Sequence, residues 1–437
     1  MSASRTADRE ALGELIDGTA WIDTHEHLVE ESSRLGPEGD HLLLDMDGEA
    51  FIPADFSSLL LLYVQDDLVS AGLGEDGRKI LFSATASSDE KWTAIEPFFE
   101  ACRHTGYWRA ADLSAQALFG VPLRRETLAE IDAGLRELRR AGFYRHVIQE
   151  VAGIERCQVH ALDGEPFRAS ADPDLLQQDL SIAPLACGIG SNAEERCGFE
   201  VATLDDYLEM VEWCFATYAA KAVAVKCYWA YWRPLAVAAP VEPPRQEFER
   251  LRAGSAEPGE RRLVEDFLFQ RCVDLATANG LPVKLHLGHL AGHFEPAFQN
   301  VFNHVGDLVP FLQANQRTKF VLMHIAWPQA EQLLAVAKHH PNVTVDLCWA
   351  WILAPRSCRE FVMRFLTTVA ANKLLCFGGD YFTVECLPGH AAIARQGLGA
   401  ALAGLIDEEW LTRAAAEGLV PRLMRGNAEE LFPLPGE

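Results

Sequence analysis

Trp21-Ile22-Asp23-Thr24-His25-Glu26-His27 is the first apolar run of the chain, and it closes on two histidines one residue apart. Side chains alternate across a strand, so His25 and His27 share a face while Glu26 points to the other and reads as structural. Two imidazoles side by side on a rigid strand tip grip one metal ion from one direction. Alone the pair is a weak signal: a His-x-His arises by chance, and its plain alternative is two satisfied polar strand residues. It gains weight because later strand-like runs also end in His, His and Asp.

Those runs set the fold. Strand candidates lie at 21–27, 157–161, 181–186, 222–226, 282–287, 319–324, 342–347 and 374–379, each followed by helical sequence. Thr203 is a good N-cap with Asp206 three residues on, and Leu204, Tyr207, Leu208, Val211, Phe215 and Tyr218 follow helical spacing. A Pro- and charge-rich loop insertion at about 234–261 precedes a helix from Arg262 to Ala278. Further helices are expected near 304–315, after Pro328 with a buried stripe of Leu333, Leu334, Val336 and Ala337, and over 357–371. Residues 28–120 break the rhythm with an acidic loop from Glu30 to Asp47, an apolar stretch from Phe56 to Leu68 and an aromatic run. They read as a mostly helical insertion after strand 1, followed by amphipathic helix over 125–152. Strand–helix alternation implies parallel strands with right-handed crossovers, and eight such units predict an α/β, TIM-type (β/α)8 barrel spanning 1–437 as one domain. An open doubly wound sheet is the alternative, with no Gly-x-Gly-x-x-Gly to support it.

Composition narrows the partners. The chain has 437 residues, 49% of them hydrophobic, a net charge of −25 and a pI near 5.0. Such acidity repels phosphate backbones and anionic bilayers, so nucleic acid and membranes are poor partners and a small-molecule substrate is expected. Eleven cysteines are scattered singly, with no Cys-x-x-Cys, and no secretory leader is visible at the start. They read as reduced thiols in a cytoplasmic protein. No apolar stretch reaches the roughly 18 residues of a membrane span. A homo-oligomer is compatible with all of this.

The strand ends carry the chemistry. Strand 1 ends in His25 and His27, strand 4 in Lys226, strand 5 in His286, strand 6 in His324 and strand 8 in Asp380. In a barrel these ends face one mouth, where active sites lie. Val223 and Val225 facing the helices put Lys226 inward, and Val283, Leu285 and Leu287 facing out leave His286 inward. Asp380 shares a face with the small residues Gly378 and Cys376. Imidazole and carboxylate are the usual zinc donors, so the expected cofactor is a divalent metal, zinc before others, as one or two ions.

This ordered set resembles the amidohydrolase superfamily of metal-dependent hydrolases over about 19–432. Within it, the long insertion, the Val225–Arg233 segment and the Leu423–Phe432 ending resemble the branch of the amidohydrolase-2 group and the uronate isomerases. The resemblance implies that His25, His27 and Asp380 bind the first metal, and that His286 either joins them or binds a second ion with His324. It implies that Asp380 takes the proton from metal-bound water, giving a hydroxide that attacks a carbonyl or C–N carbon of a small polar substrate, a carboxylated one among the candidates. His324 would hold metal, or polarise or protonate the substrate. Lys226 would bridge two metals if carboxylated; if free, its ammonium would bind substrate or leave one metal only. A buried ion pair is its plain alternative.

The substrate side is less defined. Arg233, after Tyr228-Trp229-Ala230-Tyr231-Trp232, would suit a substrate carboxylate, against a surface ion pair. His289, Tyr228 and Trp349 are further candidates for substrate contact, with packing as the alternative, and His293 is a weaker one. Asp346 reads as structural, and His104, His146, His339, His340 and His390 as surface or core. The leading expectation is a metal-dependent hydrolase. The alternatives are a sugar-acid isomerase, a metal-dependent decarboxylase, or a non-catalytic barrel that serves as a binding module.

Overall fold

A computed structural model describes residues 3–35, 40–44, 48–162, 164–188, 193–238, 242–292 and 305–433. Eight strand positions follow the predicted order. They are β1 (Trp21–Glu26), β2 (Ile154–Val159), β3 in two pieces (Leu176–Gln178 and Leu180–Ser181), β4 (Val225–Cys227), β5 (Val283–Leu285), β6 (Phe320–Leu322), β7 (Val343–Asp346) and β8 (Leu374–Leu375). Every pairing among them is parallel. One sheet runs β1-β2-β3 through the first piece of β3, and the other runs from the second piece of β3 through β4, β5, β6 and β7 to β8.

Backbone hydrogen bonds join the two sheets at both edges. Across Asp179, Val223 N donates to Gln178 O at 3.0 Å and Leu180 N to Ala224 O at 2.9 Å. Beside β1, Thr24 N donates to Phe377 O at 3.0 Å, Asp380 N to His25 O at 2.9 Å and His27 N to Tyr381 O at 3.0 Å. The chain just beyond β8 is thereby held to β1 at the level of the histidine pair. Most strand residues are buried, as near-continuous runs such as Phe320-Val321-Leu322 require in a parallel sheet covered on both faces, with Glu155, Arg156 and Thr344 partly exposed.

Several expectations are corrected. The run 181–186 is not a strand: β3 ends at Ser181, and Ala183–Ala186 is a short helix with Pro184 in its first turn, where proline costs no hydrogen bond. The strand lies earlier because Gln177, Gln178 and Asp179 are buried polar residues, which disguise an inward-facing strand as a loop. The connection from β2 to β3 contains no helix among the described residues, so not every strand is followed by one. The helix expected from Arg262 begins at Pro258, whose turn is closed by a reciprocal Glu257–Glu260 cap. Pro328 precedes its helix, which runs Ala330–His339 with the expected buried stripe. Thr203 and Asp206 form the reciprocal cap that their spacing predicts.

Between β1 and β2 the chain forms helices Tyr63–Ser70, Glu75–Leu81, Ser88–Cys102, Gly106–Phe119 and Leu128–Leu138. The helical character therefore continues past residue 120. Part of the expected acidic loop instead pairs as antiparallel strands, Asp40–Leu44 with Gly48–Ile52. Long helices also follow β3 (Leu204–Tyr218), β4 (Pro258–Ala278), β7 (Pro355–Thr368) and β8 (Leu387–Asp407). Among the described residues no helix is long and apolar enough to cross a membrane.

Candidate metal centre

The β1–β8 seam brings three donor atoms together. His25 Nε2 and His27 Nε2 lie 3.3 Å apart, and Asp380 Oδ1 is 3.3 Å from the first and 3.1 Å from the second. Local sequence makes this possible. Alternation along β1 sends both imidazoles inward. Asp380 adopts φ 64°, a left-handed turn that aspartate tolerates better than most residues and that swings its carboxylate toward β1.

Glu26 does the pinning from the opposite face. It is fully buried, and its Oε2 accepts from Tyr381 N at 2.7 Å. A Cβ at Gly379 would sit 1.9 Å from Glu26 Oε1, so this approach requires glycine. Gly379→Ala is expected to cost about 1–3 kcal/mol through overpacking. A melting temperature equal to that of the parent would show that Glu26 does not hold the seam.

The trio asks for a cation. His27 Nδ1 faces the His160 carbonyl at 2.8 Å, which fixes a proton there and leaves the Nε2 lone pair toward Asp380. Burial, then the nearby charge of Lys226, lowers the His25 pKa well below its ordinary value and keeps that ring neutral. For Asp380, burial opposes ionisation, but the His27 contact and the electrostatics of the neighbouring His324 and Lys226 side chains outweigh it and hold the carboxyl below the usual range. Two imidazole lone pairs and a carboxylate oxygen within 3.3 Å repel one another unless a proton or a metal ion sits among them. The donor set therefore fits a divalent metal. A second group, His324, Cys348 and Asp380, shares the same carboxylate. Burial pushes the Cys348 thiol well up, so it stays protonated and is the poorer ligand set.

His286 falls in neither group. The structure strings it with His324 between two backbone carbonyls. His324 Nδ1 faces Cys348 O at 3.0 Å, His324 Nε2 faces His286 Nδ1 at 2.9 Å, and His286 Nε2 faces His289 O at 2.9 Å. Three such contacts need three protons, one more than two neutral imidazoles carry. Burial lowers both pKa values, that of His324 to about 4, so the pair is held neutral and one contact lacks its proton. His324 Nδ1 is 4.0 Å from Asp380 Oδ2, which places this pair beside the trio rather than in it.

Lys226 is inward, as its register predicts. Its Nζ is 3.3 Å from His25 Nε2 and 2.7 Å from Met323 Sδ. Burial lowers its pKa, partly offset by Asp380. Met323 and His324 both reach the centre because the chain turns left-handed at His324, Ile325 and Ala326 just beyond β6. Trp349 repeats this at the end of β7 with φ 64°. Such strained backbone clusters where structure serves a site.

The substrate-side candidates divide. Trp349 is buried among His324, His289 and Tyr63, at ring distances of 5.4, 5.5 and 5.0 Å. His289 packs its ring on Trp327 and Trp349 and gives its carbonyl to His286. Tyr228 lies edge-on to His160 at 5.2 Å. Arg233 is not gathered with them: its guanidinium pairs with Glu265 and Asp266 of the Pro258–Ala278 helix and covers the Trp229 ring. His293 lies outside the described residues.

Three neighbours were not singled out from sequence. His160, just past β2, is fully buried, hydrogen-bonds Ser181 Oγ at 2.9 Å and lies 5.5 Å from the His27 ring. Lys284 and Asp179 form a buried pair at 2.8 Å under the trio, with Lys284 Nζ also donating to Thr24 O. Lys284 was readable, since it shares the inward face of β5 with His286. Asp346 is structural, accepting from Thr24 Oγ1 at 2.7 Å and Cys348 N at 2.9 Å.

Parallel strands whose ends gather a His-x-His pair and an aspartate define a metal-dependent α/β enzyme. The chain belongs to the amidohydrolase superfamily, and the family model described as Amidohydrolase matches residues 217–434. No protein with a curated function matches the chain by sequence. Its fold is similar to that of a uronate isomerase from Thermotoga maritima, at 15% identity and TM-score 0.78 over 98% of this chain and 97% of that one. It is similar to a glucuronate isomerase from Caulobacter crescentus at 17% identity and TM-score 0.77, over 98% and 94% of the two chains. A Lactobacillus casei protein classed as a metal-dependent hydrolase shares it at 13% identity and TM-score 0.65, over 96% of each chain.

Proposed function

We propose that the protein is a single-metal hydrolase acting on a small polar substrate at the C-terminal mouth of one eight-stranded barrel, formed by the two sheets together. The observation that carries this reading is the buried convergence of His25, His27 and Asp380 within 3.3 Å. Zinc is the proposed ion, because two imidazoles and one carboxylate leave room for water. When bound, such an ion supplies Lewis-acid polarisation and a more acidic water.

The chain's own residues do the rest. Asp380, held ionised, accepts a proton at its carboxylate. The His324–His286 pair has an unfilled hydrogen-bond position and can take that proton up and pass it on. Lys226 Nζ, against His25, orients a substrate oxygen as a free amine. Its Nζ lies against Met323 Sδ at 2.7 Å, a thioether that the added carboxyl of a two-metal bridge would have to displace. Trp349, Tyr63 and Tyr107 wall the centre with stacked rings.

A second reading, isomerisation of a sugar acid, is favoured by one observation: proteins named uronate and glucuronate isomerases share this fold over nearly all of both chains. It also needs a cation for the substrate carboxylate. Arg233 is paired with Glu265 and Asp266, and Arg34 and Arg139 with Glu385, whereas Lys226, with its Nζ 3.3 Å from His25 Nε2, stands beside the trio and would fill that role.

Two measurements separate the readings. Metal analysis of protein purified without chelator is expected to give one divalent ion per chain, with activity lost on chelation and restored by zinc; two ions per chain would overturn the single-ion reading. N-acyl amino acids and uronates turned over in oxygen-18 water then decide the reaction. Label in a newly formed carboxylate supports hydrolysis, and aldose-to-ketose conversion without hydrolysis supports the isomerase.

A further inference from the structure

Eleven cysteines occur in the chain, and all lie in described residues. Nine are buried; Cys187 and Cys197 are partly exposed. Cys187 donates its thiol to Ala183 O. Cys197, the last residue of helix Ala193–Cys197, meets another sulfur: its Sγ is 3.3 Å from Sγ of Cys214, inside helix Leu204–Tyr218. No other pair of cysteines hydrogen-bonds sulfur to sulfur. A disulfide has sulfurs about 2.05 Å apart, so closure needs an approach of about 1.3 Å.

We propose that Cys197 and Cys214 form an oxidisable dithiol, converted by hydroperoxides to a disulfide that ties these two helices together. The roles within the pair are unequal. Cys197 is the partly exposed member of the pair and Cys214 the buried one, and the contact between the two sulfurs lowers the Cys197 pKa against the effect of burial. The same contact, with burial, raises Cys214. Cys197 is thus the attacking thiolate and Cys214 the resolving thiol, the arrangement that favours disulfide over further oxidation. In the first step Cys197 sulfur attacks a peroxide oxygen, the O–O bond breaks, and a sulfenic acid and hydroxide form. In the second, Cys214 sulfur displaces the sulfenic oxygen, which leaves as water. Two thiols and one hydrogen peroxide give one disulfide and two waters.

The staple closes a loop of 17 residues. The short helix it anchors also carries Arg196, paired at 2.9 Å with Glu165 in the connection that follows β2. Neither sulfur touches the metal trio, so the inference stands apart from the proposed reaction.

The test uses the full-length protein, stoichiometric hydrogen peroxide and thiol counting after denaturation. The expected result is nine free thiols instead of eleven, a Cys197–Cys214 cross-linked peptide in the non-reduced digest, and recovery of all eleven with reductant. Cys197→Ser, checked by melting to be folded, is expected to keep its ten thiols under the same exposure. Cys214→Ala is expected to leave Cys197 trapped as a mixed disulfide when glutathione is added. Retention of eleven thiols in the parent, a cross-link between other cysteines, or loss of two thiols from Cys197→Ser would each overturn the proposal.

Discussion

Asp380→Asn is expected to fold like the parent and to lose turnover by about 10²–10⁴-fold, the range set by removing a positioned acid–base group. The backbone at this position is held without the carboxylate. Asp380 N donates to His25 O, and Tyr63 Oη donates to Asp380 O. Asparagine also tolerates the left-handed φ of 64°. Its amide can face the two imidazole nitrogens, so the packing survives while the negative charge does not. The variant should therefore melt within a degree or two of the apo parent and retain less divalent metal after dialysis. Near-parental kcat/KM with full metal content would refute both roles assigned to Asp380. Normal metal content with abolished turnover would keep its role as base and remove its role as ligand.

That prediction was open from sequence, because the centre is built from residues whose position period fixes. His25, His27, Lys226 and His286 were placed inward by alternation alone, and the structure gathers or neighbours them as that rule requires. His324 and Asp380 were found by their place at strand ends, although both sit in left-handed turns that no periodicity encodes. What stayed hidden has a common cause. β3 carries buried glutamines and an aspartate, so a hydropathy reading moved it to the apolar run after it. His160 reads as one more strand residue until the fold shows it beside His27. Arg233 has the composition of a substrate clamp, and only its tertiary partners, Glu265 and Asp266 some 30 residues on, show that it is engaged. The His324–His286 pair was legible as two residues near one ion and illegible as a hydrogen-bonded chain, because the carbonyls that bracket it come from loops.

Glu385→Ala is expected to lower stability by about 3–5 kcal/mol, the cost of stranding buried charge. Glu385 lies in the turn Val384–Cys386, five residues beyond Asp380, and is fully buried. It accepts from Arg34 at 2.7 Å and from Arg139 at 3.2 Å, both themselves buried. Arg34 sits just after β1, and Arg139 ends the helix Leu128–Leu138 and also donates to Pro53 O. One carboxylate thus fastens the segment between β1 and β2 to the loop that presents Asp380. Burial works to raise the Glu385 pKa, but the two guanidinium groups outweigh it and the net shift is downward. With the folded value below an unfolded value of about 4.3, this group's stabilisation is full above that pH. It declines as pH falls and is gone below the folded pKa. Urea titrations should therefore separate parent and variant fully at pH 7, with the gap narrowing only below about pH 4. A gap already closing at pH 6 would contradict the assignment, and so would a difference under about 0.5 kcal/mol at pH 7. The combined replacement of Glu385→Leu with Arg34→Met and Arg139→Met removes all three charges. It is expected to recover most of the loss, since well-packed apolar side chains match a buried ion network in stability. If that variant binds metal as the parent does, the network serves to hold the segment between β1 and β2 in place rather than to tune the charge of the centre.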